Sequence, residues 1–356
     1  MLLTFDLTIT PTPLPPNFAP KPLHPLHKSY LDLRIYIAKT LSRLLTFLHR
    51  IFTVFTKGDH VSKPSTGFRV SRISAGYYIK WGVRDVEARA MAFVRESTTV
   101  PVPKVLGFWS SPATPHTSEK RRESAGAGEL NYMLIEALPG DPVGEVWVEM
   151  DDGAKGRFKL EFTGYLRELR ALEQPIPTEF TQRDSIDTGR GYIGAINHQP
   201  LTDHRIATIP YGPFQDVESW LECEYLLGYV AKARPKDVYD RLGRELRKKD
   251  ARVVFTHSDL TPRNVLVDKE SGRITGIVDW DSAGWCVEWW EGVKGVYGWI
   301  DGSFAHKRDD EINGTSSSGE DGLMGTWRAL LTEVVGDFDA QLRADGEMRD
   351  IYGFPY

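Results

Sequence analysis

Apolar residues recur at two different spacings along the chain, and each spacing predicts a different backbone element. Between residues 68 and 81, apolar and polar positions alternate on either side of a turn at Ala75-Gly76, which predicts two antiparallel strands. Between residues 86 and 94 the apolar positions recur every three or four residues, which predicts a helix. The apolar run at residues 131–136 predicts a further strand.

Helical spacing dominates the second half of the chain. Apolar residues recur in this way in three segments, residues 158–172, 217–233 and 237–249. The stretch after Asp279 is also predicted to be helical. The exception is a pair of β-branched runs, residues 265–268 and 274–278, on either side of a glycine-containing turn. The pattern predicts an α+β protein with a small, mainly antiparallel β part and a larger, mainly helical part.

The N-terminal region differs from the rest. Residues 1–28 are rich in proline, which forbids a continuous helix and predicts an extended or disordered tail. In residues 29–56, apolar residues recur every three or four positions from Tyr30 to Phe55, which predicts an amphipathic helix. This segment is too charged to span a bilayer. Either its apolar face docks on the domain that follows, or residues 30–55 contact a membrane surface. A targeting role for this end is a further alternative.

The amino-acid composition excludes several classes of partner and site. The chain has 356 residues, of which 41% are hydrophobic and 26% charged, and these values are ordinary for a globular enzyme. Its 44 basic and 49 acidic residues give a formal charge of −5, so no nucleic-acid partner is expected. The two cysteines, Cys223 and Cys286, lack metal-binding spacing, so we expect neither a zinc site nor a disulfide framework. A cytoplasmic location is therefore expected, and the oligomeric state is open.

Polar residues between residues 255 and 280 have a spacing suited to phosphoryl transfer. Transfer from ATP to a hydroxyl needs a base that orients the acceptor and oxygen ligands that hold magnesium between the phosphates. The segment F-T-H-S-D-L-T-P-R-N-V-L-V-D, residues 255–268, contains the H-x-D-x-x-x-x-N spacing of such enzymes. We expect Asp259 to accept the proton of the acceptor and Asn264 to bind a metal ion.

A second metal ligand follows from the hairpin. A turn centred on Ser271 and Gly272 would place Asn264 opposite Asp279. Directly opposed residues of antiparallel strands have Cα atoms about 4.5–5.5 Å apart, so an amide and a carboxylate can converge on one cation. Hard oxygen ligands of this kind suit Mg²⁺. The alternative is a structural loop in which Asp259 and Asp279 accept hydrogen bonds from backbone amides.

These residues resemble the aminoglycoside phosphotransferase and choline kinase-like family of the protein-kinase-like superfamily. Members usually show H-G-D, N-[IV]-L-V-D and I-D-W, and this chain has H-S-D, N-V-L-V-D and V-D-W in the same order. The resemblance covers about Gly67 to about Val296. It implies a two-lobed protein-kinase-like fold, with a small nucleotide-binding lobe and hinge at residues 57–138 and a large catalytic lobe at residues 139–356. It also implies that His257 positions the catalytic loop.

The same resemblance implies which residues bind the nucleotide. Lys80 falls where the family keeps the lysine that pairs with the phosphates, and Glu87 falls where the ion-pair partner of that lysine stands. Adenine is expected to bond backbone groups from Glu136 to Leu138. No G-x-G-x-x-G motif precedes Lys80, so the phosphate-covering loop is expected to be short or degenerate. A lysine on the solvated edge of a strand is the competing interpretation of Lys80.

The sequence leaves the acceptor open. Tryptophans and carboxylates are concentrated after Asp279, namely Trp280, Trp285, Trp289, Trp290 and Trp299 with Asp281, Glu288, Glu291 and Asp301. They would suit a cationic acceptor, but tryptophans at helical spacing more often pack in a core. We expect an ATP- and Mg²⁺-dependent phosphotransferase that acts on a hydroxyl of a small molecule. The alternatives are a catalytically silent nucleotide-binding scaffold and a protein kinase, and Thr261 argues against the latter because serine/threonine protein kinases usually carry a lysine there.

Overall fold

An antiparallel sheet forms the described part of the first structural unit, residues 1–83 and 105–137. The computed structural model describes residues 69–112, 129–175, 191–203, 205–207, 209–249, 251–297 and 322–352. The strands run in the order β1-β2-β4-β3, with β1 at Arg69–Ser74, β2 at Tyr77–Trp81, β3 at Val105–Pro112 and β4 at Glu129–Glu136. The predicted tail at 1–28 and helix at 29–56 lie outside the described residues.

Lys80 lies in β2, which is paired on both of its sides. It stands opposite Val70 of β1 and Met133 of β4, and it is 8% exposed. The predicted strand pair is confirmed, and the interpretation of Lys80 as a solvated edge residue is wrong because β2 is an inner strand of this sheet.

The second unit, residues 84–104 and 138–356, contains helix α1 (Asp85–Ser97). Val86, Ala90 and Val94 are buried at the predicted helical spacing, so the predicted helix is confirmed. Glu168 accepts hydrogen bonds at 2.6 Å from both the backbone N–H and the hydroxyl of Thr99, just after α1. Residues 84–104 thus belong to the second unit, and the lobe boundaries at 57–138 and 139–356 stay predictions.

A three-stranded sheet of order β5-β7-β8 carries the predicted hairpin. Strand β5 spans Asp141–Pro142 and is followed by the short helix α2 (Val143–Val146), whereas β7 (Val265–Val267) and β8 (Ile274–Ile277) form the hairpin itself. Its turn closes with a hydrogen bond of 2.8 Å from the Gly272 N–H to the Asp268 carbonyl. Gly272 has φ +72, and a Cβ there would lie 1.9 Å from the carbonyl oxygen of Ala154, so only glycine fits.

The register of this hairpin differs by one residue from the predicted register. Val265 pairs with Ile277, and the N–H of Val278 donates to the carbonyl of Asn264 at 2.9 Å. Asn264 is therefore opposite Val278, and the prediction that it stands opposite Asp279 was wrong. The cause is the position of the turn. Val267 pairs with Ile274, so the turn is centred between Glu270 and Ser271, one residue earlier than predicted, and the bulge between Leu266 and Val267 corrects only part of the resulting shift.

The segment after Asp279 begins as a strand and only later becomes helical. Strand β9 (Gly284–Val287) pairs with β6 (Val253–Thr256), and all residues of β9 are buried. Helix α7 (Trp290–Tyr297) follows. The prediction of helix directly after Asp279 was wrong, since backbone pairing with β6 decides the conformation of this apolar stretch.

The other helices of the second unit lie where the apolar spacing predicts them, except that one predicted helix is divided into two. Helix α3 (Asp152–Arg170) is capped by Asp151, whose side chain accepts from the Ala154 N–H at 2.7 Å. The predicted helix at 217–233 is interrupted, giving α4 (Val217–Leu221) and α5 (Leu227–Ala233). At the break, Gly228 approaches the Glu222 carbonyl so closely that a Cβ would lie 2.5 Å from its oxygen. The remaining helices are α6 (Lys236–Leu246), α8 (Leu323–Val335) and α9 (Asp339–Tyr352).

Aromatic rings join α3 to α8 in the core of the second unit. The ring of Trp327 lies 4.5 Å from Phe162 and 6.2 Å from Phe158, centroid to centroid, and all three side chains are fully buried. Among the helices of the described segments, none has both the length and the apolar character to cross a membrane. The four-stranded sheet of the first unit and the larger, mainly helical second unit together form the predicted α+β fold.

Candidate active site

The loop between β6 and β7 carries Asp259 and Asn264 and is held by its own backbone. Thr261 N–H donates to the Asp259 carbonyl at 2.8 Å, and Asn264 N–H donates to the Thr261 carbonyl at 2.9 Å. Apart from Arg263, the residues from 257 to 264 are buried. These consecutive turns bring Asn264 back towards Asp259, so the spacing recognised in the sequence becomes a spatial cluster.

Three donors surround the carboxylate of Asp259. Oδ1 accepts from Arg205 Nη2 at 3.2 Å, and Oδ2 accepts from Arg263 Nη2 at 3.0 Å and from Asn264 Nδ2 at 2.9 Å. The Asp259 side chain is 4% exposed. The alternative of a carboxylate satisfied by backbone amides does not describe Asp259, because these partners are side chains and two of them are cations.

Asn264 is oriented by its contacts with Asp259. Its Nδ2 also donates to the Asp259 backbone carbonyl at 2.8 Å. The donor end of the amide is thus directed at Asp259, and Oδ1 is the atom suited to ligate a metal. Asp279 follows Val278 in the chain and has φ +70, in the left-handed region. An amide oxygen and a carboxylate on adjoining strand ends are hard ligands of the type that Mg²⁺ prefers.

No larger metal-binding group of His, Cys, Asp or Glu is found among the described residues. The candidate pair contains a single carboxylate, Asp279, together with the amide of Asn264. Mg²⁺ usually keeps several waters and takes few protein ligands, so two oxygen donors beside phosphates fit it.

His257 joins the loop of residues 257–264 to the segment that leads to Asp279. Its Nε2 donates to the Val278 carbonyl at 2.9 Å, and its Nδ1 accepts from the Asp259 N–H at 3.2 Å. One nitrogen donates and the other accepts, so the ring is the neutral tautomer with hydrogen on Nε2. The ring packs against Trp280 with centroids 4.5 Å apart. This geometry is that of a positioning residue.

Ser258 adopts a backbone conformation that favours glycine. Its φ is +61, and its hydroxyl lies 2.8 Å from that of Thr256. The Thr256 hydroxyl donates in turn to the Gly284 carbonyl of β9 at 3.0 Å. The glycine usual at this position in the resembled family suits the left-handed backbone, and here a hydroxyl network accompanies the strained serine.

Glu291 in α7 binds the backbone at the start of the same loop. Its two carboxylate oxygens accept from the N–H groups of His257 at 2.6 Å and Ser258 at 3.1 Å. Burial raises the pKa of Glu291 to about 7, against the opposing effect of these hydrogen bonds and of the Arg170 charge. Sequence reasoning considered Glu291 only as part of a ligand surface and missed this contact, which joins residues far apart in the chain.

Arg205 is a further site residue that the sequence did not indicate. Besides Asp259, its Nη2 donates to the Ser258 carbonyl at 3.4 Å, and its side chain is 11% exposed. Its backbone N–H donates to Asp203 at 3.1 Å, and Asp203 forms a buried ion pair with Lys294. Burial lowers the pKa of Lys294 to about 8, with the nearby Arg205 charge as the second cause. No local pattern marks Arg205, since no motif surrounds it.

The residues that the sequence predicts to bind the nucleotide belong to both structural units. Lys80 and Glu136 belong to the first unit, in β2 and at the end of β4, whereas Glu87 on α1 and Leu138 belong to the second. Glu87 is buried. The Leu138 side chain lies against Gly276 of β8, where a Cβ would come within 2.6 Å of it. The nucleotide roles of all four stay predictions.

The tryptophans after Asp279 are core residues in the described part of the chain. Four of them are almost completely buried, namely Trp280, Trp285, Trp289 and Trp290. The cation at the Trp290 ring is the protein's own Lys294, whose Nζ lies 5.3 Å from the ring centroid. Glu288 lies near Arg252 at 3.1 Å and Lys248 at 3.5 Å. Trp299 and Asp301 lie outside the described residues.

The comparisons with known proteins give the family. The model of the phosphotransferase enzyme family, APH, matches residues 85–287, which is more than half of the chain. The protein belongs to this family of phosphotransferases, and the predicted resemblance to it is confirmed. A comparison with curated protein sequences found no match.

Solved structures of aminoglycoside phosphotransferases are among the similar folds. Aminoglycoside 2'-phosphotransferase-IIIa in its GDP complex is 12% identical, with 86% of this chain and 88% of that chain covered and a TM-score of 0.44. APH(3'')-Id from Streptomyces rimosus ATCC10970 is 16% identical, with 88% and 99% covered and a TM-score of 0.44. A thermostable mutant of APH(4)-Ia is 14% identical, with 83% and 94% covered and a TM-score of 0.43. Similarity at this level does not bear on the substrate.

Proposed function

We propose that this chain transfers the γ-phosphoryl group of ATP to a hydroxyl group of a small molecule. The observation that carries the proposal is the hydrogen bond from Asn264 to the Asp259 carboxylate, in a loop that His257 ties to the segment carrying Asp279. Phosphoryl transfer depends mainly on positioning and electrostatic stabilisation, and these hydrogen bonds support such positioning. Membership of the phosphotransferase family supports the same chemistry.

Asp259 is the proposed base. The acceptor oxygen forms a bond to the γ-phosphorus while the bridging P–O bond to ADP breaks, and the hydroxyl proton passes to the Asp259 carboxylate. Arg205 and Asn264 hold that carboxylate in place. His257 acts through its hydrogen bonds to the loop and does not need to touch the acceptor.

Asn264 and Asp279 are the proposed metal ligands. Bound Mg²⁺ would neutralise charge on the phosphate oxygens. The orientation of the Asn264 amide supports this role, because its donor end is directed at Asp259. The backbone bond between Val278 and Asn264 holds the two ligand-bearing segments side by side.

Lys80 is proposed to pair with the nucleotide phosphates, with Glu87 as its ion-pair partner, and backbone groups from Glu136 to Leu138 are proposed to bond the adenine. Support comes from the burial of Lys80 in an inner strand and of Glu87 on α1.

The first test is thermal melting with ATP and Mg²⁺ together and with each alone. A ligand at about 100 times its dissociation constant adds roughly 2.7 kcal/mol of stability, which gives a clear rise in Tm. We expect a rise that requires both ATP and Mg²⁺ and is lost in Asp279→Ala. Asp237→Ala, which changes an exposed carboxylate on α6, should keep the rise.

The second test is phosphoryl transfer by Asp259→Asn. This variant should lose transfer while it retains the nucleotide-dependent rise in Tm, because the base does not hold the nucleotide. Full activity in Asp259→Asn or in Asp279→Ala would refute the assignments. A rise in Tm without transfer to any acceptor would favour the silent scaffold, and labelling of a generic protein would favour a protein kinase.

A further inference from the structure

Helix α7 contacts the loop of residues 257–264 at two places. Both carboxylate oxygens of Glu291 accept hydrogen bonds from N–H groups at the start of the loop. About one turn further along the helix, Gly295 lies so close to the loop that a Cβ there would come within 3.0 Å of the Leu260 carbonyl oxygen. The helix therefore packs directly on the loop that carries Asp259.

Lys294 lies between these two contact residues on α7, and its ammonium group is buried. Nζ pairs with Asp203 Oδ2 and lies 5.3 Å from the centroid of the Trp290 ring. The side chains of Lys294 and Asp203 are each 4% exposed. A buried ion pair adds little net stability compared with apolar residues of the same size, so stability alone does not account for this pair.

Asp203 organises the turn that carries Arg205. Its Oδ1 accepts from the Arg205 N–H at 3.1 Å, and its carbonyl accepts from the N–H groups of Ile206 and Ala207 at 2.9 Å each. Asp203, Ile206 and Ala207 are buried. The Asp203 carboxylate thus binds the Lys294 ammonium group with one oxygen and the Arg205 backbone with the other.

The guanidinium group of Arg205 connects this turn to the proposed base. Nη2 donates to Asp259 Oδ1 at 3.2 Å, and Nη1 lies 3.5 Å from the Lys294 carbonyl oxygen. Lys294 therefore reaches Arg205 in two ways, directly at the guanidinium group and through Asp203 at the backbone. A displacement of Lys294 would shift one of the donors that hold the Asp259 carboxylate.

We propose that Lys294 is a positioning residue for phosphoryl transfer, which fixes Arg205 through Asp203 and thereby the carboxylate of Asp259. This inference rests on the proposed phosphotransferase function and adds to it a residue that touches neither the acceptor nor the nucleotide. A base must lie within hydrogen-bond reach of the hydroxyl from which it takes the proton, so a small displacement of the carboxylate slows the step. Loss of this positioning should lower kcat without weakening the binding of ATP.

The test uses two double variants that remove both buried charges and differ in one hydrogen-bond acceptor. Lys294→Met with Asp203→Leu leaves no oxygen for the Arg205 N–H, whereas Lys294→Met with Asp203→Asn keeps one. Neither variant leaves an isolated buried charge, so both should fold. Lys236→Met with Asp240→Leu is the matched control, because this ion pair is exposed on α6.

The activity measured is phosphate release from ATP and Mg²⁺, with water as the acceptor. A water oxygen bonds to the γ-phosphorus, the bridging P–O bond to ADP breaks, and Asp259 takes the proton. We expect kcat to fall roughly 10- to 100-fold in the leucine variant, as expected for a charged hydrogen bond, with KM for ATP unchanged. The asparagine variant should recover part of this loss, and the control should match the wild type.

Arg205→Gln shows whether the effect passes through Arg205. This substitution should lower kcat by itself. Adding the two substitutions of the leucine variant to it should cause no further loss, because both changes act on the same contact with Asp259. Losses that multiply would mean that Lys294 acts by another route and would overturn the inference.

NMR gives a readout that needs no acceptor. Hydrogen bonds slow the rotation of a guanidinium group about its Nε–Cζ bond. We expect this rotation in Arg205 to be about 10-fold faster in the leucine variant than in the wild type, with the asparagine variant between them.

Three outcomes would each overturn the inference, namely wild-type kcat in the leucine variant, equal kcat in the two double variants, and unchanged rotation of Arg205. If the leucine variant does not fold, the asparagine variant is compared with the wild type, and unchanged kcat or rotation there would have the same meaning. Absence of the Tm rise with ATP and Mg²⁺, or phosphate release that persists in Asp259→Asn, would count against the proposed function instead. The rotation of Arg205 would still test the positioning.

Discussion

Asn264 donates hydrogen bonds to both the side chain and the backbone of Asp259, at 2.9 Å to Oδ2 and 2.8 Å to the carbonyl oxygen. One amide thereby holds the proposed base and directs its own oxygen away from that base. The two roles that we propose for this loop, proton acceptance and metal binding, would therefore be coupled through the side chain of Asn264.

Asn264→Asp should destabilise the protein because it replaces two donors by a second carboxylate beside Asp259. The expected loss is about 1–3 kcal/mol in the free energy of unfolding, measured with urea at neutral pH. The loss should shrink near pH 4, where the introduced carboxyl becomes protonated and can donate again. Unchanged stability at neutral pH would show that the amide is not needed at Asp259.

Ser258→Gly should be more stable than Ser258→Ala. Both variants lose the hydroxyl that contacts Thr256, but only the glycine removes the Cβ from a residue with φ +61. The difference between them should be about 1–2 kcal/mol, the cost of left-handed backbone for a residue with a Cβ. Thermal unfolding of the two variants checks this, and equal stabilities would mean that the backbone of this turn is not strained.

Glu291 should make stability depend on pH in a defined direction. Its pKa is raised to about 7 from an unfolded value of 4.5, mainly by burial, so the folded state holds the proton more tightly than the unfolded state. The contribution is therefore fully present below about pH 4.5, falls as pH rises to about 7, and is lost above that. The total change is about 3 kcal/mol.

Glu291→Gln cannot ionise and should lack this pH dependence. The measurement is the free energy of unfolding of wild type minus variant between pH 4.5 and 7.5, which cancels the other titrating groups. Glu333→Gln is the control, because Glu333 forms an exposed ion pair with Arg167. A difference between wild type and Glu291→Gln that rises with pH would contradict the prediction.

Lys294→Met should strongly destabilise the second unit because it leaves Asp203 buried without its cation. Breaking a buried ion pair on one side costs about 3–5 kcal/mol. The double variant Lys294→Met with Asp203→Leu should recover much of this loss, since no isolated charge is then buried. Urea unfolding of both variants measures the recovery, and a double variant as unstable as the single one would mean that the pair is required for packing.

The local elements and the residue types of the site could be predicted from the sequence because they depend on near neighbours in the chain. The strands around Gly76, helix α1 and the hairpin follow apolar spacing, and His257, Asp259 and Asn264 share one short loop. Spacing placed the centre of the hairpin turn one residue too late, and it therefore gave Asn264 the wrong opposite residue.

The sequence by itself determined the family of the protein, its α+β character and the residue types of the loop, because motif spacing and apolar periodicity are properties of short segments. Only the tertiary structure decided which distant side chains surround that loop. Arg205 and Glu291 reach it from elements far away in the chain. Such contacts depend on how the buried charges and rings of the second unit pack together, which no local pattern encodes.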